Sequence, residues 1–316
     1  MERREGKKGG AVGRLRVELL EAERTPLDPT EDGQRSHAPS AGEPMPPRSA
    51  GGALASLIPR QHGAWSILLI GYLVGALAPE GRGGAVPWIV LSSTLTGFLG
   101  QHALLTALRA RGPQRATAGL AAVLLNGLSV ALLAVLVFVH GLRPLLPVVG
   151  VGAALAALSL LVQYRHRDRS AWGELIGVLG LSSVVPVASV SRTATLDAQS
   201  LGIWLLALLY FSGSVFHVRF LVRNWRARRG AFPERLRAGW ASVAYHPAAL
   251  LAVIGLSALG WAPAWAALAL APVTVKALGA LRWGGAEPPV IRTLGFIELA
   301  HSLAFALLAI VVYRFS

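Results

Sequence analysis

Between residues 63 and 314 the chain is a succession of apolar stretches separated by short polar connections. A helix needs about 20 mainly apolar residues to cross a bilayer core, within a range of about 17 to 25. Stretches of this kind fall at residues 63–79, 86–108, 117–139, 144–163, 172–191, 200–222, 242–260, 262–281 and 294–314. They are rich in Leu and Ala and show no alternation of polar and apolar residues, which favours helices over β-barrel strands. Gly71 with Gly75, and Gly173 with Gly177, are small residues spaced for close helix crossings. Pro186 and Pro272 fall inside two of the stretches and can interrupt them. The expected fold class is an all-α polytopic membrane protein, with a nine-helix transmembrane domain over residues 59–316.

The composition agrees with this reading, since 53% of the 316 residues are hydrophobic and only 15% charged, at a mean hydropathy of +0.53. Residues 1–58 differ sharply: they are rich in Gly, Pro, Ser, Arg and Glu and poor in large apolar side chains. Such a segment buries too little surface to offset its chain entropy, so a disordered polar tail is expected there. It also lacks the apolar core and small-residue cleavage site of a secretory signal. With no cysteine, disulfides, thiolate nucleophiles, iron–sulfur clusters and Cys-ligated zinc are excluded. A net charge of +14 would suggest nucleic acid in a soluble protein. Here the cations lie between hydrophobic runs, so the expected partner is the lipid bilayer and not nucleic acid.

The distribution of those cations predicts an orientation. Arg109, Arg111 and Arg115 lie in the second connection; Arg165, Arg167 and Arg169 in the fourth; Lys276, Arg282 and Arg292 around the eighth. The sixth connection, with the adjoining helix end, holds Arg219, Arg223, Arg226, Arg228, Arg229, Arg235 and Arg237. The odd-numbered connections and the C-terminal end hold only Arg82, Arg143, Arg192 and Arg314. Sixteen against four predicts a cytoplasmic N-terminus and an external C-terminus.

That rule does not account for ionisable residues inside the helices, which are costly in lipid. Glu174 opens the fifth stretch and Glu298 lies about one turn into the ninth. His62, His102, His217, His246 and His301 all fall in the cytoplasmic halves of their stretches, and only His140 sits at an outer end. Residues three, four or seven apart share a helix face. This aligns His102, Thr106 and Arg109; Ser212, Arg219, Arg223 and Arg226; Ser214 and His217; and Gly295, Glu298, His301 and Ser302. The pattern predicts a polar cavity open to the cytoplasm. Arg109, Arg223 and Arg226 also suit simple snorkelling anchors, and a single histidine suits an interhelical hydrogen bond. Glu298 alternatively needs only a structural partner such as Arg219 or Lys276. Trp65, Trp172, Trp204 and Trp261 read as interface anchors.

"PRQHGAW" at Pro59 to Trp65, followed by "GSVFHVRFLVR" and "GFIELAHS", resembles the YwiC-like family of bacterial membrane proteins. The likeness singles out Arg60, Gln61, His62, Gly63, Ala64 and Trp65, then Gly213, Ser214, Phe216, Arg219 and Arg223, then Gly295, Glu298 and Ser302. It implies a multi-pass protein of the bacterial cytoplasmic membrane and supplies no substrate. The plan is also distantly similar to the UbiA superfamily of intramembrane prenyltransferases, which implies a UbiA-like helical bundle. Those enzymes hold magnesium on two Asp-rich motifs, whereas the corresponding places here read "QHALLTALRAR" and "FHVRFLVR". Mg²⁺ needs hard oxygen ligands that these residues do not offer, so no metal or other cofactor is expected.

These residues lead to an expected site for an amphipathic anionic ligand, isoprenoid- or lipid-like. Arg60, Gln61, Trp65, Gln101, His102, Arg109, Glu174, Ser214, His217, Arg219, Arg223 and Lys276 would bind it, with arginine on the anionic head. His62 and His301 would exchange protons, with Glu298 orienting an imidazole or taking the proton. Whether the site is enzymatic stays open. A proton-coupled transporter using the same Glu and His residues, and a non-catalytic scaffold whose basic sixth connection binds lipid, are the other readings.

Overall fold

The computed structural model describes residues 59, 62–167, 170–226, 232–282 and 291–316. The polar tail expected at 1–58 lies outside them, as do Arg60 and Gln61. Among the described residues the regular structure is entirely helical: α1 His62–Leu77, α2 Val86–Arg109, α3 Pro113–Ala134, α4 Leu145–Tyr164, α5 Ala171–Ser182, α6 Val184–Thr193, α7 Ala198–Arg226, α8 Phe232–Ala238, α9 Trp240–Ala258, α10 Ala271–Arg282 and α11 Ile291–Arg314. A π-helical turn, Val135–Val139, extends α3, and a 3₁₀ segment, Ala266–Leu270, precedes α10.

Among the described residues six segments are long and apolar enough to cross a bilayer: α3 with its π turn, α4, α5 joined to α6, α7, α9 and α11. The chain is therefore a multi-pass membrane protein. The apolar helix α1 and the segment Ala266–Leu281 are shorter. Although α2 has 24 residues, Ser92, Ser93, Thr94, Thr96, Gln101 and His102 dilute its apolar character. One of these residues, Ser93, is used against α3. Ser93 Oγ donates to the Ser129 carbonyl at 2.9 Å and Ser129 Oγ returns the bond to the Ser93 carbonyl at 2.8 Å. Beside them Gly97 and Gly100 admit the side chains of Ser129 and Asn126.

Two expected single helices are interrupted. The fifth stretch turns at Ser183, and α6 begins at Val184 with Pro186 in its first turn. The eighth changes from 3₁₀ to α geometry at Ala271, immediately before Pro272. Each proline lacks an amide hydrogen and clashes with the carbonyl four residues back, so an uninterrupted helix through it is disfavoured. Pro247, by contrast, lies inside continuous α9.

The interior is built where α1, α6, α7 and α11 meet. Leu206 and Tyr210 of α7 and Phe305 of α11 are fully buried, and the Tyr210 and Phe305 rings stack 4.0 Å apart. The small residues of α1 bring α6 close: a Cβ on Gly75 would lie 2.3 Å from the Val185 carbonyl oxygen. A Cβ on Gly202 of α7 would lie 1.8 Å from the carbonyl oxygen of Trp261. Gly177 has open space around its Cβ position, so the expected tight crossing at Gly173 and Gly177 is corrected there.

The two ends of the bundle are closed by different chemistry. At the end with few cations, Arg314 Nε donates to the Leu77 carbonyl at 2.8 Å, satisfying an acceptor that the end of α1 leaves without a helical partner. Arg192 donates to the Arg82 carbonyl, and the Arg82 amide donates to the Arg192 carbonyl at 2.8 Å. Asp197 precedes α7 and accepts from the Ser200 amide at 2.8 Å. Its burial pushes the carboxyl pKa up, but hydrogen bonds from Ser200 and Thr195 outweigh that and hold it below the usual range. At the other end Ser170 Oγ caps α5 by accepting from the Gly173 amide at 3.0 Å.

These contacts predict that Gly75→Ala and Gly202→Ala each destabilise the protein by about 1–3 kcal/mol, because backbone must move to admit the methyl group. Gly177→Ala should be neutral or slightly stabilising. Thermal unfolding of the three variants in one detergent checks the ordering.

Candidate functional site

Among the described residues, Lys276 of α10 is the charged residue that the fold buries most completely, with 4% of its side chain exposed. An ammonium in that setting is tolerable only if it is neutralised and its N–H groups are used. Both conditions are met. Lys276 Nζ lies 2.8 Å from Glu298 Oε1 and 2.6 Å from Oε2 on α11, and donates to Ser214 Oγ on α7 at 3.1 Å. One cation thereby joins three helices.

A second pair holds α7 on another side. Arg219 Nη1 lies 3.0 Å from Glu174 Oε2, where Glu174 occupies the first turn of α5. A carboxylate there is also favoured by the exposed amides of the helix start. This pair is wetter, with 26% of the Arg219 and 35% of the Glu174 side chain exposed. Arg223 is exposed one turn further along α7.

Around the Lys276 pair is a group of buried polar atoms without hydrogen-bond partners among the described residues: Tyr210 Oη, His217 Nδ1 and His246 Nε2. The Tyr210 hydroxyl lies near Ser214, Ser302 and Glu298. His217 is within electrostatic reach of Lys276, His246 and His301. His246 Nδ1 bonds the Ser242 carbonyl at 2.6 Å, one turn back on α9. His301 Nδ1 makes the equivalent bond to the Ile297 carbonyl at 2.8 Å on α11.

Seven of the sequence-predicted residues thus fall into two clusters that share α7: Ser214, His217, Lys276, Glu298 and His301 in one, Glu174 and Arg219 in the other. The remaining described residues occupy the α1, α2 and α4 side or an exposed position. Trp65 Nε1 donates to the Pro59 carbonyl at 3.0 Å, and its ring meets Phe98 edge-on at 5.1 Å. Gln101 donates to the Ala156 carbonyl at 3.0 Å, and Arg109 donates to the Gln163 carbonyl. His102 is half-buried, and its carbonyl accepts from Thr106 Oγ1 at 2.9 Å. His62 opens α1, and its side chain lies outside the described residues.

Sequence reasoning passed over Tyr210 and His246 as site residues. Tyr210 lies in an apolar run, and His246 is flanked by Tyr245 and Pro247 without a polar stripe on its own helix. The usable signal was Ser242 one turn before His246, in a stretch otherwise free of charged residues.

Among the described residues no group of three or more His, Cys, Asp or Glu is arranged to hold a metal. The two carboxylates present in the clusters are instead each joined to a cation.

Removing one member of the buried pair should cost more than removing both. Lys276→Met is expected to lose about 3–5 kcal/mol, because it strands Glu298, and Lys276→Met with Glu298→Leu should recover most of that. Breaking the wetter Arg219–Glu174 pair should cost about 1 kcal/mol or less. A double-mutant cycle by reversible unfolding in mixed micelles measures both.

Residues 58–189 match the YwiC-like protein family. A curated relative named "Uncharacterized protein YwiC", from Bacillus subtilis (strain 168), is 29% identical over 259 residues, covering 80% of this chain and 96% of that protein. No solved structure gives a significant match. The residues matched begin at the "PRQHGAW" segment and run from α1 into α6, and the relative extends the likeness over most of the chain. The chain is similar to the YwiC-like family.

Proposed function

We propose that this protein crosses the bacterial cytoplasmic membrane nine times, with its N-terminus inside, and binds an amphipathic anionic ligand at a polar site in the cytoplasmic half of the bundle. The nine crossings are α1, α2, α3 with its π turn, α4, α5 with α6, α7, α9, the 3₁₀ segment with α10, and α11. The observation that carries the ligand reading is Lys276, a buried cation whose carboxylate partner retains 20% side-chain exposure. An anionic headgroup reaching this point takes the place of the Glu298 carboxylate on Nζ, while the apolar remainder lies along the lipid-facing side of α10 and α11. Leu278, Phe296 and Leu303 are exposed there. Burial strengthens the exchange, because the ammonium has little water to fall back on.

This moves the principal anchor from Arg219 to Lys276, because Arg219 already meets Glu174. Arg219 and Arg223 line the approach and raise the local concentration of anions. From the distant UbiA likeness only the idea of a cytoplasm-facing lipid site is retained, and no metal-dependent step is invoked.

Native mass spectrometry with co-purifying lipids tests this reading on the wild type and the Lys276→Met, Glu298→Leu double variant. A defined anionic lipid or isoprenoid retained by the wild type and lost from the variant is the expected result. Bulk phospholipid in equal amount on both would sink the reading.

One observation favours proton-coupled transport as the second reading. The fifth crossing is broken near its middle, between α5 and α6, and discontinuous helices with exposed backbone ends are a recurrent transporter device. Proton flux into proteoliposomes under an imposed pH gradient, abolished by Glu298→Gln, would support it; flux equal to that of empty vesicles would remove it.

A further inference from the structure

Glu298 shows what kind of group Lys276 accepts. Both carboxylate oxygens lie on the ammonium, at 2.8 and 2.6 Å, and Ser214 Oγ takes the remaining N–H at 3.1 Å. The anion in this position is planar, carries a single charge and ends a short methylene stem. The headgroup of a fatty acid has the same properties.

Exposure and charge narrow the alternatives. Only 4% of the Lys276 side chain reaches the surface, against 20% for Glu298. A group arriving at Nζ must therefore be small and terminal. A phosphodiester, as in a phospholipid, carries substituents on both sides of its charge and does not meet that condition. A phosphate monoester is terminal but brings about two charges near neutral pH, and a diphosphate brings more. The surplus charge needs a second cation to be tolerated out of water. Arg219, the cation on the other side of α7, already meets Glu174 at 3.0 Å.

An incoming carboxylate must also gain a contact that the tethered Glu298 does not make, and Tyr210 can provide it. The Tyr210 ring is completely buried and stacks 4.0 Å from Phe305. It stands one turn before Ser214 on α7, and Phe305 stands one turn after Ser302 on α11, so the stack closes a ring of groups around the ion pair. The Tyr210 hydroxyl lies beside this ring and has no hydrogen-bond partner among the described residues. A buried O–H without an acceptor is costly, and a carboxylate with two lone pairs on Lys276 has others to offer. Glu298 is fixed to the α11 backbone and leaves that hydroxyl unused, whereas a free carboxylate has no such tether.

We propose that the ligand of Lys276 is a long-chain carboxylate with a single apolar chain, of the fatty acid class, whose headgroup replaces the Glu298 carboxylate on Nζ and accepts a hydrogen bond from Tyr210 Oη. Glu298 turns outward to water and keeps its charge. The chain runs along the lipid-facing surface past Leu278, Phe296 and Leu303, which are exposed there. The assignment rests on the reading of Lys276 as a ligand anchor and adds the class of headgroup.

Equilibrium binding to the full chain in detergent micelles tests it with probes of equal chain length: palmitate, hexadecyl phosphate and hexadecanol. The measurement is made at about pH 8.5, where both acids are ionised. On the wild type, palmitate should bind saturably and at least about tenfold more tightly than either of the others. Tyr210→Phe should weaken palmitate by about tenfold, and Glu298→Gln, which removes the resident competitor, should bind palmitate more tightly than the wild type. The ranking of probes is read on the wild type and depends on no variant folding. Hexadecyl phosphate bound as tightly as palmitate, with both lost from the Lys276→Met, Glu298→Leu double variant, overturns the carboxylate assignment and leaves the anionic-ligand reading standing. Palmitate uptake equal in the wild type and that double variant overturns both. Undiminished palmitate binding by Tyr210→Phe, or weaker binding by Glu298→Gln, overturns the assignment as well.

Discussion

The requirement that the Lys276 ammonium be neutralised away from water organises the C-terminal half of the bundle. The two oxygens of Glu298 and the hydroxyl of Ser214 satisfy it, and in doing so they fix α10 and α11 against α7. Apolar packing between helices is non-directional and in lipid gives little preference for one rotation over another. A buried charge with defined partners does give that preference, because turning α10 about its axis would separate Nζ from both. The stack of Tyr210 on Phe305 lies between the same helices and adds contact area to a geometry that the ion pair directs.

Much of this arrangement was legible in the sequence. Helical segments occupy the predicted apolar stretches among the described residues, and six of these are long and apolar enough to cross a bilayer, because a run of Leu and Ala bounded by arginines has few alternatives there. The interruptions at Pro186 and Pro272 were also readable, since the loss of an amide hydrogen acts locally. Lys276 was one of two partners that sequence alone offered for Glu298. Choosing between Lys276 and Arg219 required the third dimension, because helix periodicity orders residues on one helix but does not show which helix stands opposite.

The same limitation explains what was missed. Gly177 has the spacing of a crossing residue yet has open space around it, because small residues permit a close approach without causing one. His246 shows the opposite case, where a residue with only Ser242 as a polar companion on its own face gains further ones from other helices, Lys276 of α10 among them. Arg314 and Arg192 counted only as exceptions to a charge rule, whereas both donate to carbonyls at helix ends or in the connecting loop. A tally of charges records the side of the membrane and not the bond each charge makes.

The reciprocal serine bonds between α2 and α3 bear on how the chain enters the membrane at all. On its own α2 carries hydroxyl, amide and imidazole groups that make partition into hydrocarbon unfavourable, whereas α3 is strongly apolar. Once the two are paired, Ser93 and Ser129 satisfy each other and the glycines of α2 face side chains of α3 instead of lipid. The unit compatible with the bilayer is then the hairpin and not the single helix. The short connection between them, residues 110–112, keeps the two halves of that hairpin adjacent in the chain.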